Sequence, residues 1–459
     1  MRLYSTIALT ALAASLAIPG AASARTRHAD SAASTAAALR EAQSQIAELR
    51  AEVNELKNQV SQPAQASTDA AAASAKADQA LAVATSANTT ATAAKAEADK
   101  PVLPDAIKWA ADTKISGRMY FNASSVSHKV NGSKDGLTDN GGGFNIKRFY
   151  LGIDHKFNDV FSANLTTDVS AISGVGMSLY IKKAYLQAKI DPALVVKLGA
   201  ADMPWIPYVE GVYGYRHVDQ TLIDRTKFGT SSDWGVHVSG DLADGIISYQ
   251  VSAVDGAGYR DVHFSKSIDV EGRLSAKYKG FNVAVGGYTG KLGKNLQGVS
   301  AATPLRTYNR VDALAAYQGK VDKMPVTVGA EYFWAENKAF NSTAPILESA
   351  AKDSADGYSF FASVSPVAKW SVFGRYDRVK PSRDLNPLFK DQYFNVGIQY
   401  SPVKIVDLAL VYKHERANHG AYATNSLQSG VIGCSTVATL TCSGAGSYDE
   451  LGLFGQLRF

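Results

Sequence analysis

The stretch Tyr448-Asp-Glu-Leu-Gly-Leu-Phe-Gly-Gln-Leu-Arg-Phe459 divides by parity: Leu451, Leu453, Gly455, Leu457 and Phe459 fall on one side, Glu450, Gly452, Gln456 and Arg458 on the other. Successive side chains of a strand point to opposite faces, so this segment predicts a strand with one apolar and one polar face. A dozen alternating residues would also suit an ordinary edge strand. Recurrence along the chain decides between the two.

The pattern recurs. Phe149, Leu151 and Ile153 oppose Arg148, Tyr150, Gly152 and Asp154; Phe161, Ala163 and Leu165 oppose Ser162, Asn164, Thr166 and Asp168. Val270, Leu274 and Ala276 stand against Asp269, Glu271, Arg273 and Lys277, and Phe394, Val396 and Ile398 against Asn395, Gly397 and Gln399. There are about sixteen such segments, within the even-numbered range of single-chain membrane barrels.

Connections alternate in length as well. Short turns follow Phe157-Asn158, Asp191-Pro192, Ala243-Asp244-Gly245, Lys279-Gly280, Lys320 to Lys323, Pro366-Val367 and Pro402-Val403. Long polar loops are expected near residues 124–143, 170–177, 202–232, 255–266, 290–305, 337–357, 380–391 and 417–446. Phe157, Tyr278, Phe281, Trp370, Tyr400 and Phe459 cluster beside the short turns on the apolar parity, as an interfacial aromatic girdle requires. The fold class is therefore all-β: a transmembrane antiparallel β-barrel of about sixteen strands over 110–459, preceded by a short N-terminal coiled-coil helix. Closing the cylinder leaves no strand edge for lipid to meet.

The polar parity carries Arg118, Arg148, Lys183, Lys197, Arg273, Lys277, Arg310, Arg375 and Lys413, with Asp154, Asp168, Asp269, Glu271, Asp312, Glu331, Asp377 and Glu415. So many ions of both signs predict a wide, wet bore, since dry burial would cost too much. The third long loop, 202–233, adds Trp205, Tyr208, Tyr213 and Tyr215, and Arg216, His217, Arg225 and Lys227 against Glu210, Asp219 and Asp224. It is expected to fold inward and form a constriction. Its basic groups would hold a partly dehydrated anion, and its aromatics could serve as a stacking track for sugar rings. In the plainer alternative the aromatics anchor the loop and the charges pair internally. Basic groups at 290–311 and 378–391 would either draw anions to the mouth or contact lipid phosphate.

At the front, Arg2, the apolar run Thr6 to Ile18 and Ala22-Ser23-Ala24 have the form of an export signal over 1–24. Heptads follow within 25–62, with Leu39, Ile46, Val53 and Val60 at a and Ala42, Leu49 and Leu56 at d, while Glu52 and Lys57 are spaced to pair between parallel helices. A single amphipathic helix lying on barrel or membrane is the alternative. The seam favours dimers, whereas a barrel of this size favours a homotrimer. Residues 63–109 are Ala-rich and predict a nascent helix or a loose periplasmic linker. Cys434 and Cys442, close together in an exported chain, predict a loop-stapling disulfide; two free thiols are the alternative. No metal or cofactor pattern appears, and the net charge of +5 is too scattered to suggest nucleic acid.

Asn145-Ile-Lys-Arg-Phe-Tyr-Leu-Gly-Ile-Asp154, Lys183-Ala-Tyr-Leu-Gln187, Val196-Lys-Leu-Gly199 with Met203-Pro204-Trp205, and Trp234-Gly-Val-His-Val-Ser-Gly240 resemble the phosphate-selective porin O/P family. The resemblance implies trimeric, sixteen-stranded, anion-preferring channels of the outer membrane of a Gram-negative bacterium. Ala200-Ala201-Asp202 stand where members tend to carry a polar or basic run, which broadens the expectation to a general, weakly anion-preferring porin. The partners expected are outer-membrane lipid, small hydrophilic or anionic solutes, and peptidoglycan through the coiled coil. An enzyme is not expected: the eight His are scattered and no G-x-S-x-G or H-E-x-x-H pattern occurs. An adhesin would need the coiled coil on the outside, whereas the loop order places it in the periplasm.

Overall fold

The computed structural model describes residues 28–60, 69–98, 109–134, 140–172, 176–296, 304–339, 344–425, 431–433 and 444–459. The export-signal segment, Cys434 and Cys442 lie outside these residues. The chain divides into two units, Met1–Pro104 and Asp105–Phe459. In the first, α1 spans His28–Val60 and α2 Asp69–Ala98, and the two helices touch. The Ala-rich stretch is thus a helix of 30 residues rather than a loose tether. Alanine is the best helix former, and Thr85, Thr89, Thr90 and Thr92 return their hydroxyls to carbonyls four residues back. Among the described residues, no helix is long and apolar enough to cross a membrane.

The second unit is one antiparallel sheet closed on itself. Its long strands are β1 (Thr113–Val130), β2 (Gly141–Lys156), β3 (Phe161–Ile172), β4 (Gly176–Asp191), β5 (Leu194–Asp202), β6 (Ser232–Leu242), β7 (Ile247–Val254) and β8 (Asp269–Tyr278). They continue with β9 (Phe281–Gly290), β10 (Tyr308–Val321), β11 (Met324–Glu336), β12 (Ser354–Val367), β13 (Trp370–Lys380), β14 (Lys390–Val403), β15 (Val406–Asn418) and β16 (Ala445–Arg458). Each pairs with its sequence neighbours, and β16 pairs back onto β1 from Arg118↔Arg458 to Val130↔Gly446. Gly117 and Phe459 exchange both backbone hydrogen bonds at the seam, at 2.9 and 3.0 Å. The Phe459 ring lies over Gly117, where an added Cβ would come within 2.0 Å of it. The expected sixteen-stranded barrel is the observed one.

The apolar parity faces outward. Leu274, Val328, Ile398, Leu410 and Leu451 are all about half exposed, as are the girdle residues Phe157, Tyr278, Phe281, Trp370 and Phe459 near the short turns. A contiguous oily belt of this kind needs lipid or another apolar partner. The expected loop near 124–143 shortens to 131–140, because β1 runs to Val130 and β2 starts at Gly141. The one expected at 170–177 shrinks further, since β3 runs to Ile172 and β4 starts at Gly176.

Candidate functional site

The third loop, between β5 and β6, enters the bore. Its first helix, α3 (Ile206–Tyr213), carries Pro207 in its first turn and stops at Gly214, whose φ of +82° returns an N–H to the Glu210 carbonyl. A second short helix, α4 (Leu222–Arg225), follows. Ile206, Val209, Val212, Leu222, Ile223 and Phe228 are buried in one cluster with Leu314, Phe333 and Phe361 of the wall. Trp205 is fully buried. Its indole N–H donates to Glu331 Oε1 at 2.8 Å and its backbone N–H to Glu271 Oε1 at 2.9 Å. Tyr213 meets Phe361 edge-on at 5.5 Å, and Tyr215 stacks on Phe373 at 4.0 Å.

Loop carbonyls would be orphaned in so enclosed a position, and wall side chains satisfy them. Lys413 and Lys147 donate to Val218 O at 2.9 and 3.0 Å, Arg375 donates to Gln220 O, and Tyr308 and Arg310 donate to Phe228 O at 2.8 and 2.6 Å. Arg225 is buried among Asp377 (2.9 Å), Asp391 (2.8 Å) and Glu415 (2.7 Å). Asp219 lies 3.1 Å from Lys413 Nζ and accepts from the Tyr393 hydroxyl at 3.0 Å. Burial opposes its ionisation, yet the Lys413 ammonium holds its carboxyl below the usual range. The last long loop adds Asn425, whose side chain donates to Asp224 O at 2.6 Å, and Tyr422, which donates to Thr226 O at 3.2 Å.

This packing changes the picture of a uniformly wet bore. Arg310, Arg375 and Lys413, expected to line water, are buried and paired beneath the loop, as are Asp312, Asp377 and Glu415, while Glu331 is buried and accepts only from the Trp205 indole among the described residues. The reason is the apolar content of the loop, which is enough to seal one side of the lumen. Trp205, Tyr213, Asp219 and Arg225 are anchors, enclosed and fully partnered. Tyr208 stacks under the Arg273 guanidinium at 4.1 Å, and Lys227 is partly buried, which lowers its pKa. Burial pushes His217 down to about 4, so the imidazole is neutral at pH 7.

The other side stays open. A cavity of about 460 Å³ separates Pro207, Glu210 and Arg216 of the loop from the inner faces of β1 to β5. Arg216 is tied to Glu210 and lies 3.4 Å from Asp224. Across from it stand Arg118, Lys182, Lys183 and Arg458, with Asp154 and Asp202, and the rings of Tyr120, Tyr150 and Tyr185. Lys183 pairs with Asp202 at 3.0 Å, and Arg148 with Asp168 at 3.0 Å. Lys197 packs over Tyr185 at 4.8 Å, and Lys277 is exposed nearer the short turns.

Two of the inward lysines break the parity rule. Tyr120 pairs with Arg148 but Phe121 with Ile146, which leaves Lys147 as a bulge; Thr166 pairs with Lys183 but Thr167 with Ile181, which leaves Lys182 as another. Each bulge turns a lysine from the lipid face into the lumen, giving the adjacent inward pairs Lys147-Arg148 and Lys182-Lys183. The signal was present in the sequence: a lysine on the oily parity in mid-strand is costly in lipid, so the strand had to slip there.

A closed sixteen-stranded antiparallel barrel whose third loop folds into the bore is the porin fold. An anion-selective porin from Comamonas acidovorans superposes with a TM-score of 0.53 at 10% identity, over 76% of this chain and 99% of that one. DcaP, an outer membrane channel of Acinetobacter baumannii, gives 0.49 at 13% identity over 76% and 97%, and OmpT of Vibrio cholerae gives 0.48 at 12% over 76% and 97%. No protein-family model and no curated protein matches the sequence.

Proposed function

We propose that the protein is a porin of a Gram-negative outer membrane, a water-filled channel through which small hydrophilic solutes diffuse, with a preference for anions. The observation that carries this reading is a pair of cations on the open side of the bore, Arg118 and Lys182, which line the cavity with no carboxylate at ion-pair distance among the described residues, whereas Lys183, Arg216 and Arg458 there are paired with Asp202, Glu210 and Asp407. On the sealed side Arg225, Arg310, Arg375 and Lys413 are buried and paired with carboxylates, away from a passing ion. Basic side chains at a narrowing replace part of an anion's hydration. In this reading the long loops face outward, the chains assemble as homotrimers, and the N-terminal helices form a periplasmic coiled coil for which peptidoglycan is the available partner.

The test is the reversal potential of the full-length protein in a planar bilayer across a KCl gradient. Anion preference is expected, reduced in an Arg118→Ala, Lys182→Gln, Lys183→Ala variant. A cation preference in the parent protein would overturn the proposal. Phosphate selectivity is the narrower form of the same idea. It predicts that millimolar phosphate interrupts the chloride current and that sulfate at equal charge does not.

A further inference from the structure

On the inner wall of β1 and β2, cations and rings alternate in both directions: Arg118 pairs across the strands with Tyr150, and Tyr120 with Arg148. The bulge in β4 adds Lys182, whose ammonium lies 4.7 Å over the Tyr150 ring and 5.8 Å over that of Tyr259. Nearer the long-loop end, the Arg260 guanidinium sits 4.1 Å over Tyr180, and Tyr180 and Tyr259 stack at 5.9 Å with 28° between their planes. Tyr150, Tyr180 and Tyr259 are half-buried, whereas Tyr120 is buried.

Charge balance along this wall is uneven. Arg148, Lys183 and Arg216 each have a carboxylate within ion-pair distance, whereas among the described residues Arg118, Lys182 and Arg260 have none. Two of these three cations, Lys182 and Arg260, lie over tyrosine rings, while Arg118 reaches the Tyr120 hydroxyl at 3.4 Å and Arg260 also donates to that of Tyr180. A simple inorganic anion would use the cations and leave the rings idle, and a neutral sugar would do the reverse. A planar ring bearing a carboxylate uses both, because its charge meets the guanidinium or ammonium while its face or edge packs on the neighbouring tyrosine. Repeating the motif along the wall lets such a solute pass from one weak site to the next, as conduction requires.

The geometry points to a track for aromatic carboxylates, running along the β1, β2 and β4 wall from Tyr259 and Arg260 to Tyr150 and Arg118. It rests on the channel reading above and adds the class of solute. The test compares benzoate with cyclohexanecarboxylate as blockers of chloride current through the full-length protein in planar bilayers. The two carry the same charge at nearly the same size and differ in planarity and π-system. Benzoate is expected to half-block at a concentration about threefold to tenfold lower, the range one or two ring contacts supply. Tyr150→Leu with Tyr180→Leu should erase that ratio, and Lys182→Gln should weaken both acids together. KCl conductance reports that each variant has folded. Equal block of the parent protein by the two acids, or a ratio unchanged in the tyrosine double variant, overturns the track and leaves an anion channel standing. Absence of any chloride current would instead overturn the channel reading.

Discussion

Gly199 ends the Val-Lys-Leu-Gly segment with φ of +120°, and a Cβ there would come within 2.2 Å of the Ala184 carbonyl oxygen. Both the backbone region and the close approach exclude a side chain. Gly199→Ala should cost about 1–3 kcal/mol, read as a lower urea midpoint for loss of the heat-modifiable barrel band on gels. A mutant midpoint equal to the parent's would contradict the strain argument. His263 provides a pH-dependent case in the fourth and fifth long loops. Its Nε2 donates to Gly293 O at 2.6 Å and its Nδ1 lies 2.9 Å from Asp261, which also pairs with Lys294 at 3.1 Å. The Gly293 carbonyl, with Asp261 beside it, raises the pKa of the imidazole above 6.5. A raised folded-state value stabilises the charged form, so the tie is at full strength below the unfolded pKa of about 6.5 and is lost as pH rises through the folded value. Hydrogen exchange of 291–296, corrected for the intrinsic rate, should therefore quicken between pH 5.5 and 8.5, and His263→Ala should remove the difference.

At the scale of elements, the third loop is held by charge as much as by oil. Removing Arg225 leaves Asp377, Asp391 and Glu415 facing one another without their common cation. Breaking a buried pair by deleting one partner costs about 3–5 kcal/mol, here concentrated on the loop rather than on the barrel. Arg225→Ala is expected to raise single-channel conductance and flicker while the barrel keeps its circular dichroism. Unchanged conductance would show that the Trp205 and Phe228 packing suffices without the arginine. The sequence showed that this loop was aromatic and charged and that it should turn inward. It did not show which charges would face water. Arg216 and Arg225 look alike in the chain, yet one borders the cavity and the other is enclosed by carboxylates of three neighbouring strands on which the loop comes to rest only in the folded barrel.

For the whole molecule, selectivity should depend on salt. The cations of the open wall act on ions in the bore through solution, over a Debye length of about 10 Å at 0.1 M that shrinks to about 3 Å at 1 M. The anion-to-cation permeability ratio is expected to fall toward unity over that range; a ratio independent of salt would mean that selectivity comes from direct coordination alone. The N-terminal unit has its own helices, α1 and α2, and the barrel closes through β1 and β16 without them. Deleting residues 28–98 should leave conductance unchanged, and altered conductance would assign the helices a part in the pore.

Alternation by itself determined the barrel, its strand number, its lipid-facing girdle and the inward side of nearly every strand, because a period of two is a local property that each strand carries whole. The same rule failed at Lys147 and Lys182, where a bulge shifts the register by one residue, and a slip of that kind depends on the partner strand. Which side of the bore stays wet was likewise decided only by the tertiary structure. Residues as distant in sequence as Arg225 and Glu415 become neighbours when the sheet closes, and the burial of an ion is set by everything packed around it.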